Sequence, residues 1–211
     1  MSRLAAPAAV AAAVAAVVAL AVAGWFAFGP GLPGSDRFAE CRSTAVAAGG
    51  GGIGGPFELT DQTGRRVTDK DVIDGLTLVY FGYTWCPDVC PFDVSRMAIA
   101  TGILEERGLT ITPVFVSVDP DRDTVETLAS FVGAHHPRMI GLTGTQAEID
   151  AAKRAYRVYA ARADDDPENY LMDHTTFTYL MHPEEGFLDV LRRDLTAEEV
   201  ADRVQCFAER L

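Results

Sequence analysis

Apolar residues follow two different patterns along most of the chain. Continuous apolar runs at 76–83 and 110–118 predict strands that are covered on both faces, as strands between layers of helices are. Between such runs, apolar residues recur every three to four positions, which is typical of helices with one buried face. The helices predicted in this way cover 91–107, 124–134, 145–162 and 196–211. The periodic face of the helix at 145–162 continues through Tyr159, and Thr196 with Glu199 predicts a capping box at the start of the last helix.

Shorter stretches predict two antiparallel hairpins and one further strand. The first hairpin joins 57–60 to 66–68, the second joins 175–181 to 187–192, and the single strand covers 139–143. The order is therefore hairpin, strand, helix, strand, helix, strand, helix, hairpin, helix. This order predicts an α/β fold with a central mixed sheet flanked by helices, in which functional groups collect at the carboxyl ends of the parallel strands.

The beginning of the chain has a different character. Residues 4–28 contain no charged side chain, and a helix of about 20 such residues is long enough to cross a bilayer. We expect a transmembrane anchor at 4–28 with residues 1–3 in the cytoplasm, because Arg3 precedes the run and aromatic residues close it. The small residues at 21–23 also resemble a signal-peptide cleavage site. The run continues past them, which favours an uncleaved anchor, and under either interpretation the remainder is exported.

Composition changes again after the anchor. Residues 29–56 are rich in glycine and proline and predict a linker with a flexible lead-in, followed by a folded domain at 57–211. The formal net charge is −12, and Arg3 is the only charged residue before Asp36. The acidic excess therefore lies outside the anchor, and we exclude nucleic acid as a partner because its phosphates would repel such a domain. We expect a single-pass protein of the inner (cytoplasmic) membrane whose soluble domain faces the periplasm.

Two cysteines, Cys86 and Cys90, lie where the buried strand at 76–83 gives way to a helix. A proline inside a helix costs about 3 kcal/mol, so we expect Pro91 to be the first helical residue, with Cys90 as N-cap and Cys86 in the preceding loop. The Cys90 sulfur would then face unpaired N–H groups that favour its thiolate form. Such a pair suits Cu(I) or zinc, or forms a disulfide of structural or redox function. Thioredoxin-type oxidoreductases usually have two residues between their cysteines, and this chain has three.

A metal held by two thiolates needs a further ligand, and imidazole is the obvious one. His174 is the preferred candidate because a polar loop enters an apolar strand there, next to the expected position of the cysteine loop. The alternative is a structural histidine satisfied by hydrogen bonds. His135 and His136 at a helix end and His182 in a hairpin turn are expected to be solvated.

Three segments resemble the Sco/SenC family of copper metallochaperones: FGYTWCPDVCP at 81–91, VSVDPDRDT at 116–124, and Asp173-His174-Thr175. The resemblance extends from about residue 57 to the C-terminus. It implies a thioredoxin-like fold behind a single N-terminal transmembrane helix. It also implies that Cys86, Cys90 and His174 bind a copper ion, as Cu(I) and also as Cu(II).

The resemblance further implies a role and partners. Family members serve the assembly of the dinuclear copper A centre of cytochrome c oxidase, so subunit II of that oxidase is the implied recipient, and another copper chaperone is a further candidate partner. Asp119 matches a motif acid near the site, although a turn residue before Pro120 is an equal interpretation. Asp173 either supports the metal ligands or bonds within its loop.

Two other cysteines, Cys41 and Cys206, are not explained by the resemblance. In an exported protein a leftover pair most simply forms a disulfide, which here would tie the N-terminal segment to the closing helix.

The leading functional hypothesis is copper binding and delivery, without catalytic residues. The alternative is a thiol-disulfide oxidoreductase that reduces cysteines of an exported protein, with Cys86 or Cys90 as nucleophile. Copper binding requires His174 and disulfide exchange does not.

Overall fold

A computed structural model describes residues 12–20, 22, 36–42, 52–164, 166 and 169–211. The chain divides into two compact units, Met1–Arg37 and Phe38–Leu211. The described strands are β1 (Glu58–Asp61), β2 (Arg66–Thr68), β3 (Thr77–Gly82), β4 (Thr112–Ser117), β5 (Ile140–Thr143), β6 (Ala160–Arg162), β7 (Met172–His174), β8 (Thr178–His182) and β9 (Gly186–Leu191). The helices of the second unit are α1 (Asp69–Val72), α2 (Val89–Glu106), α3 (Val125–His135), α4 (Gln146–Tyr156) and α5 (Ala197–Ala208).

In the first unit, residues 12–20 and 22 are helical. No helix within the described residues combines the length and the apolar character needed to cross a membrane. Residues 4–11, 21 and 23–28 of the predicted anchor, and residues 29–35 and 43–51 of the predicted linker, lie outside the described residues.

Seven of the strands form one mixed sheet in the order β2-β1-β5-β4-β3-β8-β9. The central strand β3 pairs in parallel with β4 and antiparallel with β8, and all six of its residues are buried. The predicted α/β class and the central mixed sheet are confirmed, and so are both predicted hairpins, as β1–β2 and β8–β9. The capping box of Thr196 and Glu199 is present at the start of α5.

The parallel pairing determines where a site can form. Gly82 at the end of β3 lies beside Ser117 at the end of β4. The loops that follow these residues therefore leave the sheet at the same edge, and one of them carries Cys86. Beneath this edge, aromatic side chains such as Phe81 and Phe115 are part of one continuous buried core.

The helix predicted at 145–162 is wrong in its second half. α4 ends at Tyr156, because Arg157 adopts the left-handed conformation with φ 54°, which stops the helix. The chain then forms β6, which pairs antiparallel with β7 in a separate two-stranded sheet. Tyr159, which was expected on the buried helical face, is 64% exposed. Its apparent fit to the helical period was a coincidence of spacing.

Candidate metal centre

The cysteine loop lies between β3 and α2, and its helix begins earlier than the sequence predicted. Asp88 is the N-cap and Val89 the first helical residue, so Cys90 and Pro91 are the second and third. The expectation that Cys90 is the N-cap and Pro91 the first residue is therefore wrong. The first four N–H groups of any helix lack a partner inside it, so a proline at the third position removes no helical hydrogen bond.

This shift reverses the roles of the two sulfurs. The N–H of Cys90 donates to Sγ of Cys86 at 3.3 Å, so the helix terminus stabilises a Cys86 thiolate. The hydrogen bond from the Cys90 thiol lowers the pKa of Cys86, although burial opposes this. The same contact with Cys86, together with burial, raises the pKa of Cys90. In the metal-free site Cys86 is therefore the thiolate and Cys90 keeps its proton, contrary to the expectation from the sequence.

Close packing against the sheet holds the Cys90 sulfur in place. Cys90 is completely buried. A Cβ on Gly82 would lie 3.1 Å from its sulfur and 2.8 Å from Cε1 of Tyr80. A side chain at this position would therefore overlap Tyr80 and crowd the sulfur.

His174 reaches the cysteines from the end of β7. Its Nε2 lies 3.2 Å from Sγ of Cys90, and its Nδ1 lies 2.9 Å from the carbonyl oxygen of Thr175. A carbonyl oxygen can only accept, so Nδ1 carries the proton and Nε2 is left with a lone pair for a metal. The rings of Tyr80 and Tyr83 meet the imidazole edge-to-face, with interplanar angles of 86° and 89°.

The three side chains form one cluster of ligand atoms. The sulfurs of Cys86 and Cys90 and a ring nitrogen of His174 all lie within 4.8 Å of one another. Ligand atoms around a single ion, with bonds of about 2.0–2.3 Å, are spaced by about 3.5–3.8 Å, so small side-chain movements would bring these three into coordination. No other group of this kind occurs within the described part of the chain.

His182 was predicted to be a solvated histidine in a hairpin turn. Its ring accepts the N–H of Glu184 at 3.3 Å.

The two candidate supporting acids occupy different environments. Asp119 is buried in the loop after β4, where its carboxylate accepts the hydroxyl of Tyr170 at 2.6 Å and Nε of Arg122 at 2.5 Å. It does not touch the three ligands, but Tyr170 precedes the strand that carries His174. Asp173 is exposed on β7 opposite Ala161.

Two further buried acids support the site and were not singled out from the sequence. Asp123 accepts the N–H of Thr84 at 3.1 Å and its hydroxyl at 2.6 Å, so it fastens the segment just before Cys86. Asp93 accepts the hydroxyl of Tyr80 at 3.1 Å. Burial raises the pKa of both carboxyls. Asp123 is part of the segment at 116–124 that resembles the family, so the resemblance could have indicated this residue.

The remaining cysteines lie apart from this cluster. Cys41 and Cys206 form a disulfide with their Cα atoms 5.7 Å apart, whereas Cys86 and Cys90 are free thiols. The ring of Phe38 packs on Phe207, 5.4 Å between centroids, beside the disulfide. The bridge joins the segment around Phe38 to α5 within the unit Phe38–Leu211.

Comparison with known proteins identifies the family. A model of the SCO1/SenC family matches residues 46–209. The chain belongs to the SCO1/SenC family. It is 54% identical over 178 residues to Protein SenC of Rhodobacter capsulatus, covering 84% of this chain and 80% of that protein. It is 42% identical over 159 residues to the mitochondrial Protein SCO1 homolog 1 of Arabidopsis thaliana, covering 75% of this chain. The chain spans 48% of the length of that mitochondrial relative.

Solved structures of SCO1/SenC proteins have the same fold. The structure of Arabidopsis thaliana ScoI with copper bound superposes with a TM-score of 0.70 at 40% identity, covering 74% of this chain and 99% of that one. The fold is therefore the thioredoxin-like Sco fold with a central mixed sheet, as the resemblance implied.

Proposed function

We propose that this SCO1/SenC protein is a copper metallochaperone that binds Cu(I) through Cys86, Cys90 and His174. The observation that carries the proposal is the cluster of their ligand atoms within 4.8 Å of one another. The relative from Arabidopsis thaliana that holds copper supports the choice of metal. The copper is delivered to the copper A site of cytochrome c oxidase subunit II, and another copper chaperone supplies it.

The ligand chemistry favours copper in its reduced state. Soft thiolates select Cu(I), and imidazole completes a three-ligand set. Cu(II) accepts the same imidazole, so the site also holds the oxidised ion. A three-ligand site leaves one side of the ion open to a ligand from a partner.

Differences in exposure determine how copper leaves. Cys90 is completely buried, Cys86 is 8% exposed, and His174 is half-buried. An incoming thiolate therefore meets the ion on the side of Cys86 and His174, and Cys90 is the last ligand to be exchanged. Trp85, the residue before Cys86, and Phe92, two residues after Cys90, are 57% and 71% exposed and offer apolar surface to the recipient.

We also propose that residues 4–28 anchor the protein in the inner membrane with its domain in the periplasm. The support is the uncharged composition of this segment. Extraction of membranes at alkaline pH is the test: the full chain should stay in the pellet, and a variant lacking residues 4–28 should not. Release of the full chain by alkali would contradict an anchor.

The copper proposal is tested by titrating the full-length chain with Cu(I) against a chromophoric Cu(I) chelator. One ion per chain is expected. His174→Ala should weaken binding by more than the ~10–100-fold typical of losing an outer-shell partner. His182→Ala is the matched control and should leave the affinity unchanged. Stoichiometry far below one ion would sink the proposal, and unchanged affinity in His174→Ala would remove that residue from the site.

The asymmetry of the two thiols favours a second candidate function, thiol-disulfide exchange. The Cys86 thiolate would attack a disulfide sulfur of an exported protein and release one thiolate of that protein. Cys90 would then lose its proton, attack Cys86 and free the second substrate thiol, leaving a Cys86–Cys90 disulfide. Reduction of a disulfide substrate should be unchanged in His174→Ala, whereas copper binding should be weakened.

A further inference from the structure

The hairpin that carries His174 is separate from the main sheet. β6 and β7 pair only with each other within the described residues, while the cysteines follow the central strand β3. No ladder of backbone hydrogen bonds therefore joins the hairpin itself to β3 within the described residues. The nearest ladder position is Thr178, four residues after His174, which pairs with Tyr80 of β3. Beyond that point the position of the hairpin depends on side-chain contacts with the rest of the domain.

A buried group in the loop of the hairpin supplies the main contact. Tyr170, two residues before β7, is only 2% exposed, and its hydroxyl donates to Oδ1 of Asp119 at 2.6 Å. The guanidinium of Arg122 lies 3.6 Å from the Tyr170 ring centroid, and its Nε donates to Oδ2 of Asp119 at 2.5 Å. We call Asp119, Arg122 and Tyr170 the Tyr170 clamp.

Arg122 is placed for contact with aromatic rings. Its Nη2 is buried and has no hydrogen-bond partner, which is unfavourable for a charged donor unless another attraction compensates. The guanidinium carbon lies 5.8 Å from the ring centroid of Tyr83 and 5.6 Å from that of Trp85, in addition to its close contact with Tyr170. The Arg122 cation thus joins the hairpin to the loop that leads to Cys86.

The loop after β4, which carries Asp119 and Arg122, is also bonded to the segment before Cys86. Asp123, one residue after Arg122, accepts both the N–H and the hydroxyl of Thr84, two residues before Cys86. One short loop after β4 therefore holds the segment before Cys86 and the segment before His174.

The other contacts of the hairpin are weaker. The N–H of Met172 donates to the hydroxyl of Tyr83 at 3.2 Å. Arg162 pairs with Asp121 at 2.9 Å, but both side chains are about half exposed or more, and such pairs contribute little. The buried, charge-assisted bond from Tyr170 to Asp119 is the stronger constraint.

We propose that the Tyr170 clamp sets the position of His174 against the two cysteines, and that Tyr170 is a positioning residue for copper retention. This inference rests on the proposed copper function and identifies the contacts that control copper retention at the same site. When the clamp is closed, the imidazole remains within reach of the ion. When it opens, the hairpin takes His174 away and leaves the ion on two sulfurs, a state from which a partner removes it more easily.

A double-mutant cycle on the full-length chain tests the clamp. Tyr170→Phe, which removes only the hydroxyl, should weaken Cu(I) binding about 10-fold, as loss of an outer-shell partner does. In the His174→Ala background the same change should alter the affinity by less than about twofold, because the residue it positions is gone. Tyr159→Phe removes an exposed hydroxyl from the neighbouring segment and should have no effect in either background. Asp119→Asn should follow the pattern of Tyr170→Phe.

Three outcomes would overturn the clamp: unchanged affinity in Tyr170→Phe, an equal loss in both backgrounds, or a loss of the same size in Tyr159→Phe. A second measurement uses the copper-free chain. Its His174 imidazole NMR signals should be sharp in the unmodified chain and broadened or shifted in Tyr170→Phe, and identical signals would contradict the clamp. If the unmodified chain bound no copper, the proposed function would fail, and the NMR comparison would still decide whether Tyr170 positions His174.

Discussion

At the scale of single residues, Cys86 and Cys90 have the same chemistry but different environments. Cys86 accepts an N–H at the start of α2, while Cys90 is packed between Gly82 and the aromatic core. These contacts lower the pKa of Cys86 and raise that of Cys90. The metal-free site thus holds one thiolate and one thiol.

This asymmetry predicts the pH dependence of copper binding. Cys86 has a lowered pKa and is already deprotonated, whereas Cys90 has a raised pKa and must lose its proton when it binds copper. Binding should therefore release about one proton, and the logarithm of the Cu(I) affinity should rise by about one per unit between pH 7 and 8. Affinity titrations at several pH values measure this slope. A slope near two would mean that both cysteines are thiols in the free protein.

The contact between Gly82 and Cys90 leads to a second residue-level prediction. In Gly82→Ala the new methyl group would overlap Tyr80 and crowd the Cys90 sulfur, so the free energy of unfolding should fall by about 1–3 kcal/mol. Gly102→Ala in α2 is the matched control, because a Cβ there meets nothing within 4 Å. That change should stabilise by up to about 1 kcal/mol, since alanine is the better helix former. Urea unfolding distinguishes them, and equal effects would contradict the packing argument.

At the scale of elements, the sequence predicted the strands and helices that follow from the spacing of apolar residues. It failed where local backbone geometry or pairing between distant segments determines the element. The apolar run at 76–83 contains β3, because a strand covered on both faces needs no polar alternation. The start of α2 was misplaced because proline is compatible with any position in the first turn. β6 and β7 were missed because each has three residues and, within the described part of the chain, pairs with no other strand.

The disulfide between Cys41 and Cys206 is an element-level constraint, since it ties the segment around Phe38 to α5. The cysteines are 165 residues apart, so the Cys41→Ser/Cys206→Ser variant should lose about 4–5 kcal/mol of unfolding free energy on the chain-entropy account. Urea unfolding measures the loss. The Cys86→Ser/Cys90→Ser variant is the control, and after denaturation without reductant it should contain no free thiol. Two free thiols in exported protein would contradict the bridge.

At the scale of the whole molecule, the candidate site is assembled from three distant parts of the chain. The loop after β3 and the first turn of α2 bring the two cysteines, and the β6–β7 hairpin brings His174. The loop after β4 is bonded to the segments before Cys86 and before His174. The cysteines could be predicted from their position between a buried strand and a helix, and His174 from its place at a loop end and from the family resemblance. Arg122 lies in the family-like segment at 116–124, but its contact with Tyr170 could not be predicted, because that contact exists only once the hairpin packs on the domain.

The measurement that tests the copper site most directly is X-ray absorption spectroscopy of the full-length chain loaded with one equivalent of Cu(I). The account predicts two sulfur ligands and one imidazole nitrogen, and loss of the nitrogen alone in His174→Ala. A copper ion bound by sulfur only in the unmodified chain, or a spectrum unchanged by His174→Ala, would contradict it.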